Sequence, residues 1–410
     1  MTETLRPRSP KEVEDAVQWA LAKTRPLEII GNASKRALGR PAQTDLTLDL
    51  SALHGVIFYE PEELVLSAGA ATPLHDIDAM LAEKGQHLAF EPMDYGQLLS
   101  GVSNRGTIGG MLAANLAGPR RLTAGAARDH FLGFSGVSGR GETFKSGGRV
   151  VKNVTGYDLC KLMAGSWGTL AALTTVTVKT LPRPETQTTV LIVGLDDATA
   201  VRAMTAAMAT SCDVSGAAHL AAAVAGRIHL GEALGAGRAL TLLRLEGVAP
   251  SVAHRKAALM AAMKPFGEVQ SSDDIVSRNF WRAIRDVMPF AAARGTAERP
   301  VWRIVTTPTR GAELARAIDP AGAAEVLYDW AGGLLWVMLP PSDDAGAAIV
   351  RRAVAACSGQ AMLVRAPPAV RAAVDVFEPP DEGLAALMRR VKHGFDPQGV
   401  LNPGRIWASL

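Results

Sequence analysis

Apolar and polar positions alternate along this chain in two rhythms, and each change of rhythm marks a new element. Residues 9–23 carry Val13, Ala16, Val17 and Ala20 on one helical face, with Ser9 suited to cap the first turn and Pro10 to occupy it. The apolar run LEII at 27–30 predicts a strand that leads directly into GNASKRALG at 31–39. LTLDLSAL, VIFYEP and LVLSAGA then alternate with period two and predict further short strands. A helix is expected over 73–84, ended by Gly85, followed by a strand through HLAFEPMD. A short helix is expected over 108–117, because its small residues let it lie close against another surface. Strands are expected over 131–137, 142–145 and 170–180, the last rich in β-branched residues.

Pro182 and Pro184 interrupt this pattern, and the texture changes after them. TTVLIVGL and ALTLLRLEG predict strands, each followed by a helix, over 197–208 and 250–263. WRIVTTPT leads to a helix over 311–317. EVLYDWAG and LLWVMLP predict a hairpin through Gly332-Gly333, followed by a helix over 344–355. Such units predict an α+β region with an antiparallel sheet covered on one side. The end of the chain predicts a helix over 384–392 and then two close turns, at Asp396-Pro397 and Asn402-Pro403-Gly404.

Composition narrows the function more by exclusion than by indication. A chain of 410 residues calls for two or three domains. A net charge of +3 gives no nucleic-acid footprint. Cys160, Cys212 and Cys357 lie far apart, so no local iron–sulfur or zinc site is expected, and the odd count suits a reducing cytoplasm. No secretory leader and no bilayer-spanning apolar run are expected, so any membrane association would come through a partner.

The stretch 101–180 concentrates the candidate chemistry. Glycines recur at Gly101, Gly106, Gly109, Gly110, Gly118, Gly125, Gly156, Gly165 and Gly168, with small or hydroxylated residues between them. A backbone of this kind can approach a large, flat, phosphorylated ligand closely. The loop Gly31-Asn32-Ala33-Ser34-Lys35 follows a strand, and its successive amides can form a diphosphate-holding nest, with a hydroxyl from Ser34 and a charge from Lys35. Neither a Walker loop nor a G-x-G-x-x-G fingerprint is present.

The order G-N-A-S-K, P-M-D, G-T-I-G-G-x-x-A-x-N, K-N-x-x-G-Y-D-L, G-S-x-G-T-L and D-P-x-x-x-L-N-P-G resembles the vanillyl-alcohol-oxidase/PCMH-type FAD-binding family, and within it the FAD-binding E subunits of bacterial glycolate oxidase. The resemblance covers residues 1–184 and the C-terminal helix and tail, and the middle only by architecture. It implies an α+β chain: a two-subdomain PCMH-type FAD-binding fold over 1–184 (about 1–88 and 89–184), an antiparallel-sheet α+β cap over 185–375, and a returning tail over 376–410. It implies that Gly31, Asn32, Ala33, Ser34 and Lys35, with Gly106, Thr107, Gly109 and Gly110, hold the diphosphate of FAD. Pro92 and Asp94 would line the adenosine or isoalloxazine passage. Asn115, Lys152, Gly156, Tyr157, Asp158, Gly165, Ser166, Gly168, Thr169 and Leu170 would surround the ribityl chain and ring, and Asn402 would reach the flavin edge.

Covalent attachment in this family uses a His in the first loop or a Cys in the second. Neither is present, and His54, His75 and His87 do not match those places, so FAD is expected to be held noncovalently. Resembling D-2-hydroxy-acid dehydrogenases carry an H-x-G-D-G-N-x-H stretch for metal and base. This chain has only RIHLGE at 227–232, and Trp167 stands where those enzymes place an acidic residue. Residues 280–285 form a candidate substrate-facing helix in which Trp281 and Ile284 suit a core equally well. No catalytic residue and no metal ligand is named. The expected whole is a complex that oxidises a small 2-hydroxy acid, glycolate or D-lactate, with a catalytic flavoprotein subunit and an iron–sulfur subunit as partners. A stand-alone FAD oxidoreductase and a scaffold that has lost FAD stay open.

Overall fold

Helix Pro10–Ala22 starts on Ser9, whose side chain accepts from the Glu12 amide, and buries Val13, Val17 and Ala20. In the computed structural model, which describes residues 3–99, 102–149, 156–228, 237–292 and 298–409, these three side chains pack on Leu27, Leu46, Leu48, Val137 and Leu401. Strands Glu3–Leu5, Leu46–Asp49 and Leu27–Ile30 form a parallel sheet in that spatial order. The tail extends it. The Leu27 amide donates to Val400 at 2.7 Å, and the Asn402 amide donates to the Leu27 carbonyl at 2.9 Å. Residues nearly four hundred apart in sequence therefore form one edge.

A second sheet is antiparallel and runs Val56–Glu60, Val65–Gly69, Ala171–Lys179, Phe131–Ser138, Thr143–Gly147. Its first two strands come from the part of the chain expected to belong with residues 1–88. Val65–Gly69 is buried along its whole length and needs a ladder on both sides; Ala171–Lys179 supplies the second one. The strand expected through HLAFEPMD shrinks to Gln86–His87. Beyond it Glu91 has φ 52°, which ends an extended run, and Leu88, Phe90, Met93 and Tyr95 are instead buried as an irregular core segment.

The third sheet has eight antiparallel strands: Glu268–Ser271, Thr186–Val193, Leu240–Gly247, Gly216–Leu220, Glu325–Asp329, Leu334–Met338, Val301–Val305, Gln360–Arg365. Alternation assigns its faces. Val190, Ile192, Leu243, Leu245, Leu335 and Val337 pack under helices Asp197–Met208, Ala249–Met263, Gly311–Ile318 and Ala347–Ala356. Leu191, Val193, Leu240, Leu242, Leu334 and Trp336 join one core with Phe90, Ile108 and Leu112 from the first half. The sheet is thus covered on both faces, by helices on one and by the rest of the molecule on the other. Helix Asp274–Arg285 lies in that shared core with Phe280, Trp281 and Ile284 almost wholly buried, so the core reading holds for residues 280–285.

Helix Glu382–Phe395 is longer at both ends than expected. The Lys392 ammonium donates to the carbonyls of Thr169 (2.7 Å) and Leu401 (2.9 Å) and to Asp396 (2.6 Å). Asp396 in turn accepts from the Val400 and Leu401 amides. This buried pair folds the tail back against the 165–170 turn.

Candidate functional site

A cleft of about 820 Å³, counted to its open mouth, lies where the first two sheets and the tail meet. Residues 29–36, Thr107 with helix Ile108–Ala114, and Trp167, Gly168, Ala171, Leu173, Asn402 and Arg405 line it. Small side chains dominate between them: Ala70, Ala71, Gly109, Gly110, Ala113 and Ala114. At Gly109 size is decisive, because a Cβ there would lie 2.7 Å from both the Cβ and the carbonyl oxygen of Ala70.

The loop 31–35 is the polar part of this cleft. Among the described residues, no acceptor takes a hydrogen bond from the amides of Gly31, Asn32, Ala33, Ser34 or Lys35. Ala33 is in the left-handed region at φ 56°, which turns successive amides toward one side. The carbonyls are held from behind: Arg405 donates to the Lys35 oxygen at 2.7 Å and to the Arg36 oxygen at 3.4 Å. Arg36 makes a two-pronged pair with the buried Glu28, at 3.1 and 2.5 Å. Burial pushes the Lys35 ammonium down to about 8, against the opposing pull of the Asp94 charge. Five unspent donors, one poised cation and flat, methyl-sized walls fit a dinucleotide whose diphosphate sits on the loop.

The loop 106–110 resembles it in sequence and differs in use. The amides of Ile108 and Gly109 donate to Thr72 (3.0 Å) and Ala70 (2.8 Å). The Gly110 amide faces the Thr107 hydroxyl, which caps the helix, at 3.3 Å. These donors dock the helix onto residues 70–72 and are not free for phosphate. Thr107, Gly109 and Gly110 do line the cleft, as a wall. Gly106 does not; its carbonyl accepts from the Leu74 amide at 2.9 Å.

Among the other expected contacts, Gly168 and Asn402 line the cleft. Asn402 ties both ends of its amide to the backbone: Oδ1 accepts from the Ile29 amide (2.8 Å) and Nδ2 donates to the Trp167 carbonyl (2.8 Å). It joins three segments into the cleft floor. Gly168, at φ 72°, lies so close that a Cβ would be 2.7 Å from that Nδ2. Trp167 itself sits at φ 54°, edge-on to Phe377 at 5.3 Å.

The remaining expected residues lie outside the cleft lining, and the structure shows what each does instead. Asp94 closes a turn by accepting from the Gly96 (2.9 Å) and Asn104 (2.6 Å) amides, and Pro92 is buried beside Glu91. Asn115 is the left-handed cap of helix Ile108–Ala114 and accepts from the Arg128 amide. Asp158 caps helix Leu159–Met163, Gly156 is in the left-handed region before it, and Tyr157 is exposed. Gly165, at φ 88°, faces the Asn115 side chain, while Ser166 and Thr169 close a buried turn on each other through a 2.7 Å bond, and Leu170 is core. Of Asn32, Thr107 and Thr169, then, the first two meet in the cleft and the third does not. Lys152 and most of the RIHLGE fragment lie outside the described residues.

Arg405 was not among the expected site residues, although it directly follows the tail motif that ends at Gly404. Nor were the Ala70-Ala71 and Ala113-Ala114 pairs, whose signal is small size next to the glycines. His54, His75 and His87 are not in the lining. Among the described residues no group of three or more His, Cys, Asp or Glu is placed to hold a metal, and no helix is long and apolar enough to cross a membrane.

Comparison with known proteins agrees with this geometry. A family described as FAD binding domain matches residues 3–147, and one described as the C-terminal domain of FAD linked oxidases matches residues 378–406. These two segments supply the cleft lining from both ends of the chain, apart from Trp167, Gly168, Ala171 and Leu173. The glycolate oxidase subunit GlcE of Escherichia coli (strain K12) is 34% identical over 397 residues, covering 97% of each chain. A D-lactate dehydrogenase of Archaeoglobus fulgidus is 33% identical over 139 residues, 32% of this chain and 31% of its own. The structure of p-cresol methylhydroxylase with substrate bound aligns at a TM-score of 0.72 over 99% of this chain and 88% of its own, at 13% identity, a likeness of fold. The chain therefore belongs to the FAD-linked oxidoreductases of the PCMH-type fold, in the family of the glycolate oxidase subunit GlcE, with FAD as its cofactor.

Proposed function

We propose that this chain is the FAD-binding subunit of a heteromeric 2-hydroxy-acid dehydrogenase that oxidises glycolate, and D-lactate as a second substrate, to the 2-oxo acid. The observation that carries the reading is the run of five unspent amides at 31–35, in a cleft otherwise lined largely by alanine and glycine. In this reading residues 31–35 hold the diphosphate, with Lys35 opposite its charge, while Gly109, Gly110, Ala113 and Ala114 admit the flat parts of the molecule. Bound FAD supplies a two-electron acceptor. The chain's own residues bind it, keep it in register through Arg405 and Asn402, and exclude water with the small-residue walls. Residues 1–184 and 376–410 act as the flavin unit, and residues 185–375 as the cap that meets substrate or partner.

The reading includes two partners, a catalytic flavoprotein subunit and an iron–sulfur subunit. It is supported by the word subunit in the name of the full-length relative. It is also supported by the burial of Cys160, Cys212 and Cys357 as separate free thiols, which leaves electron transfer beyond the flavin to another chain. The assembly is placed in the cytoplasm, with any membrane attachment through a partner.

Purification at native expression level, with an absorption spectrum and mass analysis of each band, tests all of this. Flavin absorption with two co-eluting chains, one bearing iron–sulfur absorption, is the expected result. Turnover of glycolate by the single chain with an artificial acceptor would favour a stand-alone enzyme. A colourless chain that added FAD does not reconstitute would make it a scaffold.

A further inference from the structure

One aromatic side chain stands in the wall of the cleft. Among the described residues Trp167 is the only aromatic in the lining; the others are small, aliphatic, polar or charged. It is half-buried, and among the described residues its indole N–H has no acceptor. The indoles of Trp281, Trp302, Trp330 and Trp407, by contrast, all donate to the protein itself. Trp167 therefore brings a flat ring and an unspent donor to a cavity otherwise walled by methyl-sized groups.

The surroundings fix that ring in a conformation a bulky residue seldom adopts. Trp167 sits at φ 54°, in the left-handed region, between Gly165 and Gly168, which are left-handed too. Segments far apart in the chain keep it there. Its amide donates to the Ala113 carbonyl at 2.9 Å, near the end of helix Ile108–Ala114, and its carbonyl accepts from Asn402 in the tail. Phe377, outside the lining, packs edge-on against the ring at 5.3 Å, and Trp407 packs on Phe377 at 6.4 Å. Trp407 is tied in turn, its indole donating to the Glu378 carbonyl at 3.2 Å. Backbone strain that so many contacts maintain, at the wall of a ligand cleft, points to a role for the ring it positions.

We propose that Trp167 is the contact for the adenine ring of FAD, so that the adenine end and not the isoalloxazine end of the dinucleotide meets it. A purine offers a flat face to the indole ring and ring nitrogens to its N–H. Ile29, Leu50 and Leu173 add an apolar surround in the same cleft. The choice between the two ends follows from what the lining lacks. Its members all fall within residues 29–173 and 402–405, and among the described residues none comes from 185–375. The isoalloxazine has to meet a substrate or an electron acceptor. Adenine takes no part in the reaction and can be enclosed by the flavin unit alone. The inference rests on the diphosphate seat at 31–35 and on the role of the cap proposed above.

Competition titration of the full chain tests it, with FAD followed by its fluorescence and displaced by ADP, which carries the adenine and the diphosphate but no flavin. Trp167→Leu should weaken FAD and ADP alike, each about tenfold, and Trp167→Phe, which keeps a ring, should recover most of that loss. Equal ADP affinity in parent and W167L would overturn the adenine contact, as would a loss for FAD that ADP does not share. A second measurement needs no leucine variant. Of the seven tryptophans only Trp167 lines the cleft, so ADP should change the tryptophan emission of the parent and not that of W167F; an unchanged parent emission at saturating ADP would overturn the contact as well. Lys35→Met separates this inference from the reading beneath it. If K35M leaves ADP affinity intact while W167L lowers it, the diphosphate seat at 31–35 falls and the ring contact stands. If K35M lowers it while W167L does not, the ring contact falls and the diphosphate seat stands.

Discussion

Two loops rich in small residues, 31–35 and 106–110, line one cleft side by side and do different things with their backbone. The first leaves its amides unspent and ties its last carbonyl, that of Lys35, to Arg405. The second spends the amides of Ile108, Gly109 and Gly110 on Thr72, Ala70 and Thr107, and uses the absence of side chains to bring a helix against Ala70. Glycine and alanine thus leave donors open in one loop and let the protein's own backbone approach closely in the other.

That contrast predicts different failures. The largest effect belongs to the packing loop. Gly109→Val places a side chain on a backbone carbonyl and should cost about 3 kcal/mol of stability in a denaturant titration. FAD affinity of the folded fraction should change less than stability does; the reverse order would mean that the second loop is a ligand loop after all. Asn402→Ala strips partners from the Ile29 amide and the Trp167 carbonyl, and should cost about 2 kcal/mol while loosening both sides of the cleft. Loss of FAD without loss of stability would contradict its role as a floor.

Arg405→Met removes the donors to the Lys35 and Arg36 carbonyls, with the long ion pair to Glu28. Its expected signature is a rise of about tenfold in the FAD dissociation constant, about 1.4 kcal/mol, measured by fluorescence, with a smaller change in melting. The smallest effect is a pH dependence. Lys35 sits near 8 in the FAD-free cleft, and a bound diphosphate raises it. Affinity should be full below pH 8 and fall as pH rises above it, until the bound-state value is passed, and Lys35→Met should flatten that profile. Without FAD the sign is reversed for folding, since the lowered value makes the Lys35 charge a cost below pH 8 that is relieved as pH rises from 8 toward 10.5.

Local pattern was a good guide where one element's own residues decide the outcome. The cap on Ser9, the helix Gly311–Ile318 and the hairpin of Glu325–Asp329 with Leu334–Met338 follow from residues within a few positions of each other. Pattern misled where a partner from far along the chain decided. Val56–Glu60 and Val65–Gly69 read as the end of a first unit and pair into a second, because the burial of Val65–Gly69 on both edges is satisfied only by Ala171–Lys179. Asn115 and Asp158 stand in motifs that read as ligand contacts and serve as helix caps, roles that the same polar side chains fill equally well.

The sequence by itself determined the family, the cofactor, the α+β character and the loop that carries the unspent amides, because each depends on residue type at short spacing. Only the tertiary structure decided which glycine-rich amides are free and that the tail forms the cleft floor through Asn402 and Arg405. The physical reason is that a hydrogen-bond donor's availability is set by what lies three ångströms away in space, and the residues that occupy that distance here are tens to hundreds of positions away along the chain.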